Sequence, residues 1–399
     1  MTAIIGGGAA GAAAAIQAAR LGAKVIILEK NARILKKIPA TGNGRCNFTN
    51  MSVSSENYFG ETPGFAEHAL KTYPPERIRA FFGGLGLISR ADGAGRVYPQ
   101  TNHAGSVADV LMLELERLGV EIITGFEAAN IARTPEGFAV SGHTGREIFF
   151  DSVIFAAGGI ASLPGGSESC FDIVRRLGHR IVPLRPVLVQ LKTELADIKG
   201  LSGIRVDAEI GIAGKTAKTA RGELLFTDYG LSGIAVMSLS CLMPFPEISV
   251  NFMPDYTRDE LIRLLSETAG HFGGFPVERV FSGILNKRAV FLAARRAGIA
   301  KMSRKAASLT REEIARVAET LQNYRIKITG TNGFRNAQAC AGGVATDEVD
   351  PRTMESRLVP GLFFAGEALD IAGDCGGYNL HWAWASGLIA GESSSWRKR

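Results

Sequence analysis

A glycine-rich turn follows the first apolar residues of this chain. Gly6, Gly8 and Gly11 have the spacing G-x-G-x-x-G and come directly after Ile4-Ile5. Between a strand and a helix, these three glycines permit a tight turn, a close approach of backbone to a pyrophosphate, and close packing of the helix on the strand. The helix that begins there presents free N–H groups and the positive end of its dipole to phosphate. The start of the chain therefore predicts a dinucleotide-binding βαβ unit.

The residues after the turn complete this unit. The segment from Ala12 to Arg20 is rich in helix-forming residues, and Gly22 stands where such a helix would end. An apolar strand then ends in an acid, Val25-Ile26-Ile27-Leu28-Glu29. Glu29 lies close to the spacing of about 20 residues at which such units place the acid that binds a ribose. We therefore predict that Glu29 binds the ribose of a dinucleotide.

The length of the chain predicts more than one domain. It has 399 residues, of which 46% are hydrophobic and 21% charged, and single cores divide beyond about 250–300 residues. Strand and helix patterns fill the first part and return near the end. Between them lie short candidate strands at 187–192, 205–212, 215–220 and 247–252, and then helical patterns from 255 to 322. We predict an α/β, Rossmann-like cofactor domain at 1–185 and 329–399, an inserted barrel-like β domain at 186–254, and an inserted helical segment at 255–328.

Glycines also end two later apolar strands. The strand Ser152 to Phe155 leads to Gly158-Gly159, and Leu362 to Phe364 leads to Gly366-Glu367. A further glycine-rich segment, Asp374 to Asn379, precedes a predicted helix. A helix that begins in this way is a second candidate cofactor site. Its dipole would stabilise negative charge on a bound cofactor.

The cysteines and the charge balance exclude some classes of protein. The five cysteines are odd in number and never spaced C-x-x-C, which argues against a disulfide scaffold or a dithiol reductase and predicts a reducing, cytoplasmic compartment. A net charge of +6 permits anionic ligands without requiring nucleic acid. The stretch 287–311 contains eight basic residues and no acid. We interpret it as a solvated helical face, with RNA, an anionic substrate or a membrane surface as alternatives.

Several short segments with distinctive residues occur in one order along nearly the whole chain. They are Gly6 to Gly11 with Glu29-Lys30, Thr41 to Asn50, Gly95 to Pro99, Ala156 to Gly159, Gly222 to Thr227, Gly230 to Gly233, Ala341 to Val344, Thr353 to Ser356, Pro360 to Glu367, and Gly376 to Leu380. Together they resemble the FAD-binding family described as aminoacetone oxidase-like or bile-acid reductase-like, within the glutathione-reductase-type flavoprotein fold.

The resemblance implies an extended FAD. Adenosine and pyrophosphate would lie at the opening unit, and the loop Thr41–Asn47 would run toward the flavin, with Arg45 as a forked donor to oxygen acceptors. Gly366 and Glu367 would face the ribityl hydroxyls, and the segment from Gly376 would border the isoalloxazine. The predicted cofactor-binding residues are Gly6, Gly8, Ala10, Gly11, Glu29, Lys30, Thr41, Gly42, Gly44, Arg45, Cys46, Asn47, Gly158, Gly159, Gly366, Glu367, Gly376, Gly377, Tyr378 and Asn379.

Two segments depart from the family pattern. After Pro164 the family usually carries a glycine-rich turn of the type Thr-Gly-Asp-Gly, whereas this chain has Gly165 to Phe171 without it. The first strand is also short, with only Thr2 to Ile5 before the turn.

The catalytic acid or base is not identified by any motif, because bound flavin supplies the redox chemistry. Weak candidates for a proton donor are Tyr378, His381, Cys375, Arg96 and His103. The six histidines include no pair at i and i+4 and no Cys/His cluster, so we predict no metal. The hydrolase pattern G-x-S-x-G is also absent.

We therefore predict an FAD-dependent oxidoreductase that acts on a small organic substrate through hydride transfer at flavin N5. Either an amine is oxidised with O₂, or an unsaturated compound is reduced with NAD(P)H, which would reach the flavin directly because no second G-x-G-x-x-G unit is present. The alternatives are an RNA-linked flavoprotein that uses the stretch 287–311 and a flavin-bound redox sensor with Cys46 or Cys375 as its reactive thiol. The substrate and the oligomeric state are not predicted.

Overall fold

The computed structural model describes residues 1–143, 145–161, 168–213 and 218–396. The chain forms two compact units: the sheet unit, Met1–Val187 with Ala337–Arg399, and the barrel unit, Leu188–Asn336. The sequence placed the corresponding boundaries at 185/186 and 328/329.

The strands are numbered in chain order. They are β1 Thr2–Ile5, β2 Val25–Glu29, β3 Thr49–Asn50, β4 Tyr58–Phe59, β5 Ser89–Ala91, β6 Arg96–Pro99, β7 Glu121–Thr124, β8 Ala128–Thr134, β9 Gly137–Gly142, β10 Glu147–Phe150, β11 Ser152–Phe155, β12 Ile181–Val187, β13 Leu191–Thr193, β14 Arg205–Ile212, β15 Thr219–Phe226, β16 Gly230–Ser232, β17 Glu247–Asn251, β18 Tyr324–Thr331, β19 Ala339–Val344, β20 Leu362–Phe364 and β21 Ala372–Gly373.

The α-helices are numbered in the same way. They are α1 Ala9–Arg20, α2 Glu67–Thr72, α3 Pro75–Gly84, α4 Ala104–Arg117, α5 Ser169–Arg176, α6 Leu195–Ile198, α7 Ile234–Ser240, α8 Arg258–His271, α9 Val277–Val280, α10 Lys287–Arg296, α11 Arg311–Gln322 and α12 Tyr378–Trp396.

A five-stranded parallel sheet with the order β20-β11-β1-β2-β7 forms the centre of the sheet unit. Apart from β7 at the edge, its strands are short apolar runs, and β1 is buried along its whole length between β11 and β2, with Ile4 opposite both Ile154 and Ile27. Runs of this kind are typical of a parallel sheet covered on both faces. The carboxyl ends of β1, β11 and β20 all lead into the glycine-rich segments noted above, so these segments share one edge of the sheet.

Two glycines of α12 allow it to lie against α1. A Cβ atom at Gly387 would be 2.4 Å from the Ala10 carbonyl oxygen, and one at Gly391 would be 2.3 Å from that of Ala14. Real Cβ atoms do not come so close to backbone, so only glycine permits this packing. Both helices were predicted from the sequence, but their contact was not.

The barrel unit contains a closed barrel with the strand order β13-β16-β15-β14-β17-β18. The predicted inserted barrel is confirmed, although the predicted helical segment 255–328 was wrong at its end. Strand β18 begins at Tyr324 and completes the barrel by pairing with β13 and β17. The predicted strand 215–220 lies partly outside the described residues.

Helices pack on the barrel and share its core. Leu261 and Leu265 of α8 and Leu321 of α11 are buried in one cluster with barrel residues such as Ile248. Both helices begin with a capping box, since Thr257 Oγ1 accepts a hydrogen bond from the Glu260 N–H and Thr310 has the same arrangement. The sheet unit has a separate core of its own.

Candidate functional site

The three glycines of the opening turn meet different surroundings. Gly6 has a φ of +100°, and a Cβ atom there would lie 2.5 Å from the Ala156 carbonyl oxygen at the end of β11. A Cβ atom at Gly11 would lie 2.0 Å from the Gly6 carbonyl oxygen, whereas one at Gly8 would meet nothing within 4 Å. Gly6 and Gly11 therefore serve packing, and Gly8 leaves open space in front of the helix.

That open space lies at the N-terminus of α1. Among the described residues, no side chain caps the helix at Gly8, and its first turn contains no acid. The first N–H groups of a helix have no partner within the helix and attract anions. The turn and α1 thus fit a pyrophosphate, which would supply the missing acceptors and negative charge.

Glu29 lies at the end of β2, beside the turn. Its Oε2 accepts a hydrogen bond of 2.8 Å from the Gly7 N–H. Its Oε1 accepts hydrogen bonds from the backbone and side chain of Asn31, at 2.8 and 2.5 Å. Oε2 accepts only this one bond and has a lone pair left for another donor, so the predicted ribose contact is compatible with these partners. Lys30, the next residue, is exposed.

The predicted loop Thr41–Asn47 is a tightly wound segment. Gly42, Gly44 and Cys46 have positive φ angles of 55°, 82° and 57°, and the Cys46 N–H donates to the Thr41 carbonyl oxygen at 3.0 Å. Arg45 is exposed, and its guanidinium lies 4.6 Å from the centre of the Tyr98 ring. A cation over an aromatic face is held in place, which keeps Arg45 ordered on this loop.

The loop and the closing glycine segment come together at Asn47. A Cβ atom at Gly377 would be 2.7 Å from Asn47 Oδ1 and 2.6 Å from the Thr49 carbonyl oxygen. Asn47 is buried, and its Oδ1 has no hydrogen-bond partner among the described residues. A buried acceptor left without a donor costs free energy. A bound group that donates a hydrogen bond, such as the N3–H of a flavin, fits this position.

Side chains hold the closing loop, which we define as residues 373–378. The Asn379 amide accepts from the Gly373 N–H and donates to the Gly373 carbonyl, both at 2.8 Å. Asn50 donates to the Gly376 carbonyl at 2.9 Å, and the Tyr58 hydroxyl donates to the Tyr378 carbonyl at 3.0 Å. The Asn379 side chain is thus occupied with shaping the loop. Asn50 and Tyr58 were not predicted as partners, because neither is near the loop along the chain.

Glu367 joins three segments of the sheet unit. Its Oε2 accepts from the Gly159 N–H at 2.9 Å, and its Oε1 accepts from the Cys340 N–H at 2.7 Å. Lys37 Nζ lies 3.4 Å from the same carboxylate and 3.2 Å from the Gly159 carbonyl oxygen. Two predicted residues, Gly159 and Glu367, are therefore in contact. No motif in the sequence indicated that Lys37 or Cys340 would contact Glu367.

Helix α12 contacts predicted cofactor-binding segments from both the beginning and the end of the chain. A Cβ atom at Gly366 would lie 2.7 Å from the Ala10 Cβ, which places the opening helix against the segment after β20. Trp382 Nε1 donates to the Gly366 carbonyl at 3.0 Å, and Trp384 Nε1 donates to the Phe48 carbonyl at 3.0 Å. Both indoles are buried on α12, so one helix positions segments from both ends of the chain.

The proton-donor candidates have different surroundings. Burial raises the pKa of the Tyr378 phenol, so it keeps its proton at neutral pH. Arg96 Nε donates to Asp92 at 2.8 Å, and a Cβ atom at Gly376 would lie 3.9 Å from Arg96 Cγ. Burial also raises the pKa of the Cys375 thiol. Tyr378, Arg96 and Cys375 are therefore gathered at the closing loop.

The two histidine candidates lie elsewhere. His381 is fully buried in α12, and its Nδ1 is 2.7 Å from Thr49 Oγ1. Burial lowers the pKa of His381 to about 4, which keeps the ring neutral and makes a proton-transfer role unfavourable. His103 is exposed at the start of α4. The departure at Gly165 falls on residues 162–167, which lie outside the described residues.

Comparison with known proteins places the chain in a family. Residues 1–393 match the family model described as HI0933-like protein Rossmann domain. A 3-dehydro-bile acid Δ(4,6)-reductase of Clostridium scindens is 37% identical over 99% of this chain and 98% of the relative. A ribosomal RNA dihydrouridine synthase of Escherichia coli is 32% identical over 98% of both chains.

Solved structures share the fold at low sequence identity. A 3-ketosteroid-Δ4-(5α)-dehydrogenase from Rhodococcus jostii is similar with a TM-score of 0.51 and 15% identity, over 99% of this chain and 96% of that one. A 3-ketosteroid Δ1-dehydrogenase from Sterolibacterium denitrificans has a TM-score of 0.50 and 13% identity, over 99% of both chains. In the described part of the chain, no helix is both long and apolar enough to cross a bilayer.

These findings confirm the predicted flavoprotein resemblance, the fold class and the assignment as an oxidoreductase. The chain belongs to the HI0933-like family of FAD-binding Rossmann oxidoreductases.

Proposed function

We propose that the chain reduces a carbon–carbon double bond of a small unsaturated compound, with NAD(P)H as the electron donor. The observation that carries this proposal is the meeting of the opening turn, the loop 41–47 and the closing loop around α1 and α12. The names of the relatives support reduction, because dihydrouridine differs from uridine by two added hydrogens on a ring double bond. Oxidation of an amine with O₂ is the alternative outcome of the test below.

Each segment has a part in binding the cofactor. When bound, FAD would accept hydride from the nicotinamide and deliver it to the substrate. The N–H groups at the start of α1 would hold the pyrophosphate, and Glu29 would hold the adenosine ribose. Arg45 would bind oxygen acceptors, and Asn47 Oδ1 would accept a hydrogen bond from the bound ring. The α12 dipole places its positive end behind the closing loop.

Tyr378 is our candidate for the proton that reduction of a double bond requires. Its raised pKa keeps the phenol protonated at neutral pH, and Asn50, Tyr58 and Asn379 hold the loop that carries it. A general acid must both hold its proton and be positioned at the reacting atom. Arg96, whose pKa is raised with Asp92 among its partners, keeps its charge and would orient an anionic or carbonyl group.

Anaerobic stopped-flow reduction of the purified holoenzyme tests the proposed electron donor. NADH or NADPH should bleach the flavin absorbance, and an α,β-unsaturated ketone should restore it without O₂. Reduction of the flavin by amines alone would support the amine oxidase instead. A protein that holds no flavin after reconstitution with FAD would contradict both reactions.

Tyr378→Phe tests the proton donor. We expect turnover of the unsaturated substrate to fall about 10²- to 10⁴-fold, whereas the rate of flavin reduction by NAD(P)H should not change, since that step needs no proton from Tyr378. Tyr73→Phe is the matched control, because the Tyr73 hydroxyl lies 3.4 Å from Glu392 and away from the closing loop. Equal turnover in both variants would remove Tyr378 from the mechanism.

A second candidate is reduction of uracil within ribosomal RNA. The relatives named ribosomal RNA dihydrouridine synthase favour it. Incubating the reduced enzyme with unmodified ribosomal RNA and measuring dihydrouridine by mass spectrometry tests this reaction directly. The redox-sensor alternative is less favoured, because burial raises the pKa of Cys46 to about 11 and also raises that of Cys375. A reactive thiol requires the opposite shift.

A further inference from the structure

Two aromatic rings are exposed together in the barrel unit. Phe272, at the end of α8, is 43% exposed, and Phe275 is 50% exposed. Their ring centres are 6.4 Å apart, with the planes inclined by 69°. Large aromatic side chains are costly to leave in water, so an exposed pair marks a candidate binding surface.

Basic side chains adjoin these rings. The Arg279 guanidinium lies 5.5 Å from the centre of the Phe275 ring. The segment 273–278 runs antiparallel to 302–307, through hydrogen bonds such as Ala306 N–H to the Phe275 carbonyl at 2.8 Å. This pairing brings Lys301 and Lys305, which are exposed, to the same part of the unit. We call Phe272, Phe275, Arg279, Lys301 and Lys305 the aromatic–basic surface.

The basic residues of this surface differ from neighbouring arginines in their ion pairs. Two neighbouring arginines have acidic partners, since Arg296 pairs with Asp197 and Arg304 with Glu313. Within the described residues, no carboxylate lies within 4 Å of the Arg279, Lys301 or Lys305 nitrogens. Residues 279–311 contain no acid, and Glu278 directly precedes Arg279. A ligand with regularly spaced negative charges would therefore complement this surface.

The fold changes the interpretation of the basic stretch 287–311. Phe291 is the one aromatic residue between the basic residues of that stretch. We therefore expected the stretch to form a solvated helical face. The pairing of 273–278 with 302–307 adds Phe272 and Phe275 from outside it. Cations interleaved with exposed aromatic rings are the combination that binds single-stranded nucleic acid, with phosphates on the cations and bases stacked on the rings.

We propose that the aromatic–basic surface binds single-stranded RNA. The proposal rests on the second candidate function, because it supplies a binding surface for an RNA substrate within the barrel unit. It requires no flavin chemistry, so it can be tested with the oxidised holoenzyme at equilibrium.

Fluorescence anisotropy with a fluorescein-labelled 12-residue oligouridine tests the role of the rings. We expect the double variant Phe272→Ala/Phe275→Ala to bind at least tenfold more weakly, since each stacked base contributes roughly a five- to hundredfold effect. Tyr256→Ala is the matched control, because Tyr256 is 42% exposed and precedes α8, at the opposite end of that helix from Phe272. Unchanged affinity in the Phe variant would overturn the proposal.

A second pair of variants tests the charges by a different readout. Lys301→Gln/Lys305→Gln should lower the slope of log K against log salt by about 1.4, at roughly 0.7 per phosphate on a single strand. Lys192→Gln/Lys327→Gln removes the same charge from exposed positions on the barrel strands β13 and β18. This control should lower the slope less than Lys301→Gln/Lys305→Gln does. Equal slopes in the two variants would contradict binding at this surface.

Two further measurements separate this proposal from the proposed function. Heparin carries negative charge without bases, so its binding should be insensitive to the Phe variant; an equal loss for heparin and oligouridine would overturn base stacking. Flavin content and reduction by NAD(P)H should be the same in all variants. If the protein holds a reducible flavin but does not bind oligouridine, the proposed RNA-binding surface is overturned and the proposed reaction is not. If the protein holds no flavin, the proposed reaction is contradicted.

Discussion

The opening turn and the closing loop are both glycine-rich starts of helices, yet they are held in opposite ways. Backbone contacts hold the opening turn, since Gly6 lies against the Ala156 carbonyl and Gly11 against that of Gly6. Side chains from distant parts of the chain hold the closing loop, through Asn50, Tyr58 and Asn379. The packing of the opening turn depends on the absence of side chains at its glycines, whereas the closing loop depends on hydrogen bonds from these polar side chains. Substitutions should therefore affect the two regions differently.

The largest effect is expected at Gly11. The variant Gly11→Val places branched carbon where even a Cβ atom would lie 2.0 Å from the Gly6 carbonyl oxygen, so α1 must move away from the turn. We expect the free energy of unfolding to fall by about 3 kcal/mol or more, together with loss of bound FAD. Thermal unfolding and the flavin absorbance of the purified variant measure both effects. A stable, yellow variant would show that the turn is not held by backbone packing.

Gly8 should affect binding without affecting the fold. A Cβ atom there meets nothing within 4 Å, so Gly8→Ala should fold normally while its methyl group enters the space in front of α1. We expect the Kd for FAD to rise about tenfold to a hundredfold, as one or two charge-assisted hydrogen bonds are weakened. Gly83→Ala, at an open position on α3, is the control for titration of the apoprotein. An unchanged Kd would place the pyrophosphate elsewhere.

A substitution at Asn379 tests how side-chain hydrogen bonds hold the closing loop. Asn379→Ala removes both hydrogen bonds to Gly373, which should destabilise the loop by about 1–3 kcal/mol. Because the opening turn is untouched, FAD should still bind, whereas turnover should fall with Tyr378 misplaced. Hydrogen exchange of residues 373–378 and steady-state kinetics measure the two consequences. If FAD affinity fell while turnover per bound flavin was unchanged, the division between the two regions would be wrong.

The smallest effect concerns the far end of α1. Arg117 and Arg20 hold the pKa of Glu114 at about 2, below its ordinary value of 4.5. Because the folded-state pKa is lowered, this stabilisation is present above pH 4.5 and is lost as the pH falls toward 2. Glu114→Gln should cost about 1 kcal/mol at pH 7. Unfolding measured at pH 7 and pH 3 should show a smaller difference between variant and parent at pH 3.

The same contrast explains what the sequence could predict. The opening unit lies within the first thirty residues, and its spacing carries the prediction without any knowledge of the fold. The sequence also indicated Glu367 and Gly159, but it did not reveal that they contact each other through one carboxylate with Lys37 and Cys340. Lys37 and Gly159 are separated from Glu367 by 330 and 208 positions and Cys340 by 27, and no local pattern encodes these contacts.

Two other features of the fold were not predicted from the sequence, for related reasons. Strand β18 follows a long helical region and pairs with β13 and β17, which precede it by many residues. The alternation of apolar and polar residues in β18 did not by itself distinguish this strand from the end of the helical region. Gly387 and Gly391 appear within a helix as ordinary small residues. Their role emerges only when the carbonyl groups of Ala10 and Ala14 are placed against them.

The packing of α12 on α1 has a consequence for biosynthesis. The Ala10 and Ala14 carbonyl groups of α1 leave the ribosome 377 residues before Gly387 and Gly391, which pack against them. At about 5–20 residues per second, roughly 20–70 seconds separate the two. The barrel unit is a continuous segment with its own core, so it can fold during this interval. Packing of α1 on α12 must therefore wait until α12 has emerged, and chains that stall before α12 should carry no flavin.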